Sequence, residues 1–212
     1  MFLPALLAAA AVLAVTACSG GGDSVDDATT VATSTATTAV AATTTVAPTT
    51  TVAVPAVITL TPTVSSAASF SAGDDGPITD QALIDELTNA TVAYVKTATL
   101  APLGGTESDV VALLTTEAAA ALNDAGRDAL SDDQMPIIVA SPSSTMTLTI
   151  SALTGPGDAT TIAVVGLDVT VGGTTAGGAS VSVHRTGDLT FAKSDAGWKI
   201  DAFTLNVDRE MP

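Results

Sequence analysis

Cationic side chains are scarce in this chain: six Lys and Arg stand against 22 Asp and Glu, for a formal net charge of -16 over 212 residues. A phosphate backbone is bound by clustered Lys and Arg. Here the six cations (Lys96, Arg127, Arg185, Lys193, Lys199 and Arg209) are scattered, and none precedes residue 96. That excludes nucleic acid as a partner and argues against docking on anionic headgroups by charge. One His and one Cys cannot assemble a zinc site. Asp74-Asp75 and Asp132-Asp133 lack the spacing of a calcium loop and read as caps or solvated turns. No metal and no cofactor is expected. Aromatic residues make up only 3% of the chain, so the core must be built from Ala, Val, Leu and Ile, which each bury modest area. The glycines at 172, 173, 177 and 178 fall in a hairpin, not between a strand and a helix, so they form no nucleotide-binding fingerprint.

What is present begins with an apolar run, LPALLAAAAVLAVTA at residues 3–17, short for a bilayer span and suited to a signal-peptide core. It ends in Val15-Thr16-Ala17-Cys18, followed by Ser19 and three glycines. This segment resembles the bacterial lipobox. The resemblance implies cleavage after Ala17 and a thioether-linked diacylglycerol on Cys18, with acyl chains such as palmitate. That would place the protein on the extracytoplasmic face of the cell membrane, with the lipid bilayer as its first partner. Two acyl chains anchor stably where one is marginal. The n-region departs from the pattern in having no Lys or Arg.

Residues 18–76 read as a disordered linker. From Ser24 to Ser66 the chain is Thr, Ala and Val with prolines at 48, 55 and 62, without helical period or sustained alternation. Such a coil reaches roughly 40 Å. Its hydroxyls suit O-mannosylation, as in the Thr-rich stalks of actinobacterial lipoproteins it resembles.

Residues 77–212 read as one α+β domain. Leu83, Ile84, Leu87, Ala90, Tyr94, Val95 and Ala98 recur at helical spacing and predict a helix over about 79–100. A second helix is expected from Thr106, capped with Asp109, to about Asn123, then a short helix or turn at 127–133. From Pro136 the period drops to two, which predicts four or five strands joined by hairpins in an antiparallel sheet. Bulges are expected at Gly187 and near Asp201-Ala202, where the apolar parity changes. Helices followed by strands, closing with GDLTFAKSDAGWKIDAFTLNVDRE, look like the nuclear-transport-factor-two-like fold and resemble mammalian-cell-entry-associated lipoproteins. That resemblance implies helices packed on a curved, cone-like sheet. A β-sandwich with a helical extension is the alternative.

Few residues suit chemistry inside such a cone. Tyr94, the one tyrosine, reads as a core residue whose hydroxyl reaches the surface, and as the first candidate for a cavity group. His184, the one histidine, alternates out of phase with Val181 and Val183 and reads as a solvated strand residue, with a cavity role as its other reading. Trp198 is expected in the core beside Ile200. No catalytic residue is assigned. The function expected is that of a non-enzymatic binding or interaction module at the cell envelope, with an envelope protein as partner. The alternatives are an apolar-ligand carrier and a small isomerase- or dehydratase-type enzyme.

Overall fold

A computed structural model describes residues 53–70, 75–155 and 160–212. Ala17, Cys18 and the linker up to residue 52 lie outside the described residues. The chain divides into units Met1–Pro48 and Thr49–Pro212, and all described residues belong to the second.

Long alternating strands dominate: β3 (Ala140–Thr154), β4 (Thr160–Thr174), β5 (Ser180–Ser194) and β6 (Gly197–Glu210). Each pairs antiparallel with the next. Because side chains alternate across a strand, one face collects the apolar set. Met146, Leu148 and Ile150 of β3, Val165, Leu167 and Val169 of β4, and Val183, Leu189 and Phe191 of β5 are all buried. The opposite face carries Thr147, Thr149, Asp168 and Asp188. Two further strands, β1 (Pro62–Phe70) and β2 (Gly76–Pro77), complete a six-stranded sheet in the order β2-β1-β3-β4-β5-β6.

This corrects the expected boundary at residue 77. Pro62 stands at the first position of β1, where the missing amide costs nothing in the ladder. The Thr/Val/Ser run behind it then pairs parallel with β3 from Pro62↔Met146 to Phe70↔Leu153. Upstream, the Ala56 amide donates to the Ile138 carbonyl at 2.8 Å, and Ser144 Oγ donates to the Thr59 carbonyl at 2.6 Å. The sheet is therefore mixed, not purely antiparallel. Parallel neighbours need a crossover, and here the whole helical region supplies it. The described residues form a single sheet, which sets aside the β-sandwich.

The helices pack on the apolar face. Asp80 caps α1 (Gln81–Val95) by accepting from the Ala82 and Leu83 amides. A π-helical turn (Lys96–Leu100) and α2 (Ala101–Leu103) continue it, burying Ala98, Thr99 and Leu103. The expected second helix is broken. Asp109 makes no side-chain cap, and Val110–Leu113 form one 3-10 turn. Leu114 then bridges Ile200 and the Thr115 amide donates to the Ile200 carbonyl at 2.8 Å. That contact turns the backbone extended at Leu114. Two short helices follow, α3 (Thr116–Ala121) capped by Thr115 and α4 (Asp124–Leu130) capped by Asn123.

The bulge expected near Asp201 is present: Thr190 pairs with Ala202 while Phe191 pairs with Ile200, leaving Asp201 as the extra residue. It lets Ile200 on one parity and Phe203, Leu205 and Val207 on the other share the inner face. No register shift occurs at Gly187, which pairs in step with Leu205. Glycine is needed there for another reason. Its φ is +132°, and a Cβ would stand 2.0 Å from the Thr204 carbonyl oxygen. Gly187→Ala should therefore lower stability by about 1–3 kcal/mol or more, measured as a lower urea midpoint. An unchanged midpoint would show that the two strands do not approach this closely.

Candidate functional site

Among the described residues, three of the four buried polar side chains, Thr99, Asp132 and Arg185, meet at Asp132, in the segment between α4 and β3. Asp132 and Arg185 are both fully buried. Arg185 Nη2 reaches Asp132 Oδ2 at 2.8 Å, and Arg209 Nε reaches Oδ1 at 2.8 Å. Thr99 Oγ1, in the π-helical turn, donates to Oδ2 at 2.6 Å. The Asp132 amide donates to the Ala98 carbonyl at 2.8 Å, so both backbone and side chain of Asp132 are tied to that turn.

The two arginines are positioned by the sheet. Arg185 shares the parity of Val183 and Leu189 on β5, and Arg209 that of Val207 on β6, so both aim inward from adjacent strands. Arg185 Nη1 donates to Tyr94 Oη at 2.8 Å and also to the Ala129 carbonyl. Its guanidinium carbon lies 5.7 Å from the Tyr94 ring centroid. Arg209 Nη2 donates to the carbonyls of Asp128 at 2.5 Å and Ser131 at 2.8 Å. Arg185 Nε alone finds no partner among the described residues of this group.

Tyr94 lies in this network with its hydroxyl buried, which corrects the expectation that it reaches the surface. That hydroxyl donates to the Leu130 carbonyl at 3.3 Å while accepting from Arg185. Burial pushes its pKa up to about 12, against the opposing pull of Arg185. His184 stands on the other face of the sheet, half-buried, with Nε2 3.1 Å from Asp168 Oδ1. The sheet therefore separates the two candidates. Trp198 is only half-buried. Its Nε1 donates to Glu86 Oε2 at 3.0 Å, beside Lys193 Nζ on the same oxygen at 2.8 Å. Hydrogen bonds from Lys193 and Trp198, with the charge of Lys193, hold the Glu86 carboxyl below its usual range.

Asp132 had read as a cap or solvated turn and is neither. Asp133 does lie in an exposed turn, where it accepts from the Ser108 amide at 2.8 Å and from the Ser108 hydroxyl at 2.7 Å. Burial raises its pKa, but these bonds and one from Ser131 outweigh that and lower it. Arg185 was missed although the signal existed, since its odd parity matches Val181, Val183, Leu189 and Phe191. No local signal marks Asp132, because its partners lie 53 and 77 residues away.

Chemically, the arrangement is closed. Both Asp132 oxygens accept from fixed donors, and the carboxylate is fully buried. Among the described residues, no three His, Cys, Asp or Glu side chains are grouped to hold a metal ion. No described helix is long and apolar enough to cross a membrane. No protein-family model, curated protein or solved structure matches the chain.

Two measurements probe the network. Tyr94 is the one tyrosine, so phenolate absorbance reports it alone: the folded chain should titrate near pH 12 and the urea-unfolded chain near the ordinary value of 10. Since the folded pKa is the raised one, this group's stability contribution is complete below pH 10 and falls away as pH climbs from 10 towards 12. A midpoint near 10 in the folded chain would place the hydroxyl in water. Separately, Asp132→Ala strands two guanidinium groups inside and should cost about 3–5 kcal/mol in urea unfolding. A loss under ~1 kcal/mol, the scale of an exposed pair, would show the carboxylate to be solvated.

Proposed function

We propose that the chain is an exported lipoprotein, held at the extracytoplasmic face of the cell membrane by a diacylglyceryl group on Cys18, and that its folded domain is a non-enzymatic interaction module. The anchor rests on the Val15-Thr16-Ala17-Cys18 segment behind its apolar run. The domain's role rests on one observation above all: the space between helices and sheet is occupied by Tyr94, Arg185 and the Asp132 carboxylate, each fully buried. A carrier needs a lined, open interior, and an acid–base enzyme needs a proton-transferring group within reach of a substrate. A filled, ion-paired interior serves neither, which leaves the surface to do the work.

The nuclear-transport-factor-two-like likeness belongs to the same proposal. Helices on one face of a sheet, with a Trp-containing closing strand after a Gly turn, support it. The parallel β1 at the sheet's other side departs from the antiparallel sheet that the likeness implied.

Mass spectrometry of the full chain purified from its own host tests both halves. The N-terminal peptide should begin at Cys18 with a diacylglyceryl thioether, and Cys18→Ser should move the protein out of the membrane fraction. Native spectra of the same preparation should show no stoichiometric small ligand. An unmodified Cys18 thiol would sink the anchor, and a retained ligand of fixed stoichiometry would sink the interaction module.

A further inference from the structure

We infer that the free edge of β6, with the groove beside it, takes up an extended segment of a partner polypeptide as an added strand, apolar at alternate positions and flanked by Lys or Arg. The inference rests on the interaction-module reading and gives it a surface and a partner chemistry.

β6 is the last strand of the sheet, and its backbone directions can be read from one contact. The Thr204 carbonyl oxygen faces β5, standing 2.0 Å from where a Gly187 Cβ would lie. In an antiparallel pair, residues alternate between those bonded to the neighbour and those turned away. The amides and carbonyls of Phe203, Leu205 and Val207 therefore point outward. Along this edge only Ile200 finds a backbone partner among the described residues, through Leu114 and Thr115. The segment that covers the edge stops there, leaving the second half of the strand, among the described residues, as a row of unpaired donors and acceptors, which is the template for strand addition.

The groove begins where that cover ends. It is a cavity of about 390 Å³ between α3, α4 and β6, walled mainly by Ala118, Ala121, Leu122, Gly126 and Phe203, with Asn123 and Asp201 at its polar side. Gly126 keeps it open: a Cβ there would stand 2.9 Å from Leu122 Cδ1 and 3.4 Å from Phe203 Cζ. A free strand edge running past an apolar slot fits an extended chain that offers backbone bonds to the edge and a side chain to the slot.

Charge selects the occupant. Asp201, Asp208 and Glu210 are exposed along β6, and Glu117, Asp124 and Asp128 are exposed on the neighbouring helices, against the one exposed cation Arg127 there. The two β6 cations are already committed, Lys199 Nζ to the Ala112 carbonyl at 2.7 Å and Arg209 to Asp132. A second copy would bring another net charge of -16, so a segment with basic flanks fits better.

The test uses the full isotope-labelled chain and a blocked peptide probe, Lys-Val-Thr-Val-Thr-Val-Lys. Binding should slow amide exchange at Phe203, Leu205 and Val207. A Glu-flanked version should bind about tenfold more weakly at low salt, as two lost exposed ion pairs imply. Alternate N-methylation of the peptide should abolish binding. Asp201→Asn, which keeps an acceptor for the Thr115 hydroxyl that donates to Asp201 Oδ1 at 2.9 Å, should narrow the Lys-over-Glu preference. Protection at other residues, or none, would overturn the edge assignment. So would protection of these amides without peptide, whether it rises with protein concentration (a second copy) or does not (the chain's own N-terminal part). Failure of the wider reading is recognised separately, by a stoichiometric small ligand in native spectra. A silent edge without such a ligand defeats only this assignment.

Discussion

The Asp132 carboxylate bridging two guanidinium groups is the constraint on which the rest of this domain depends. A buried charge is tolerable only when paired and hydrogen-bonded, and Asp132 is held by Arg185, Arg209 and Thr99 at once. These three come from β5, β6 and the π-helical turn, so one carboxylate fixes the distance between the sheet and the helical layer. The short helices need such a clamp. α3 and α4 span 6 and 7 residues, well below the length at which a helix holds itself together in water. The Ala129, Asp128 and Ser131 carbonyls, at and beyond the end of α4, are fastened to the sheet by the same two arginines.

That clamp also decides where function can reside. A core poor in aromatics leaves space between helices and sheet, and here Arg185 and Tyr94 fill it in place of larger apolar rings. The polar interior is structural in consequence, with its donors and acceptors turned on one another. On the proposed reading, contact with a partner falls to the Thr- and Asp-bearing face of the sheet and to the edge of β6, whose second half has no backbone partner among the described residues. The acidity of those surfaces, within a net charge of -16, favours basic over acidic partners.

Much of this architecture was legible in the residue pattern. The alternation from Met146 to Val207 announced the four long strands, and the parity change at Asp201 announced its bulge. The spacing of Leu83, Leu87 and Tyr94 announced α1. What escaped has physical reasons. β1 lies in a Thr/Val/Ala stretch whose composition is the same for a tether as for an edge-side strand, and only its pairing with β3 tells them apart. The break at Leu114 follows from a long-range bridge to Ile200 that no local propensity encodes. Gly187 looked like a bulge because glycine in a strand often marks one, whereas here it admits the Thr204 carbonyl. Of the candidate site, Tyr94 and the parity of Arg185 could be read. The role of Asp132 could not, since its partners Arg185 and Arg209 lie 53 and 77 residues further along the chain.

The central claim, that the interior is closed by an ion network, is tested most directly by NMR of the arginine side chains in the full chain. Guanidinium protons of Arg185 and Arg209 should exchange with water far more slowly than those of Arg127, which is exposed on α4 and serves as an internal reference. Exchange of Arg185 as fast as that of Arg127 would contradict the account, because it would mean that water, and with it a ligand or substrate, enters the space between helices and sheet.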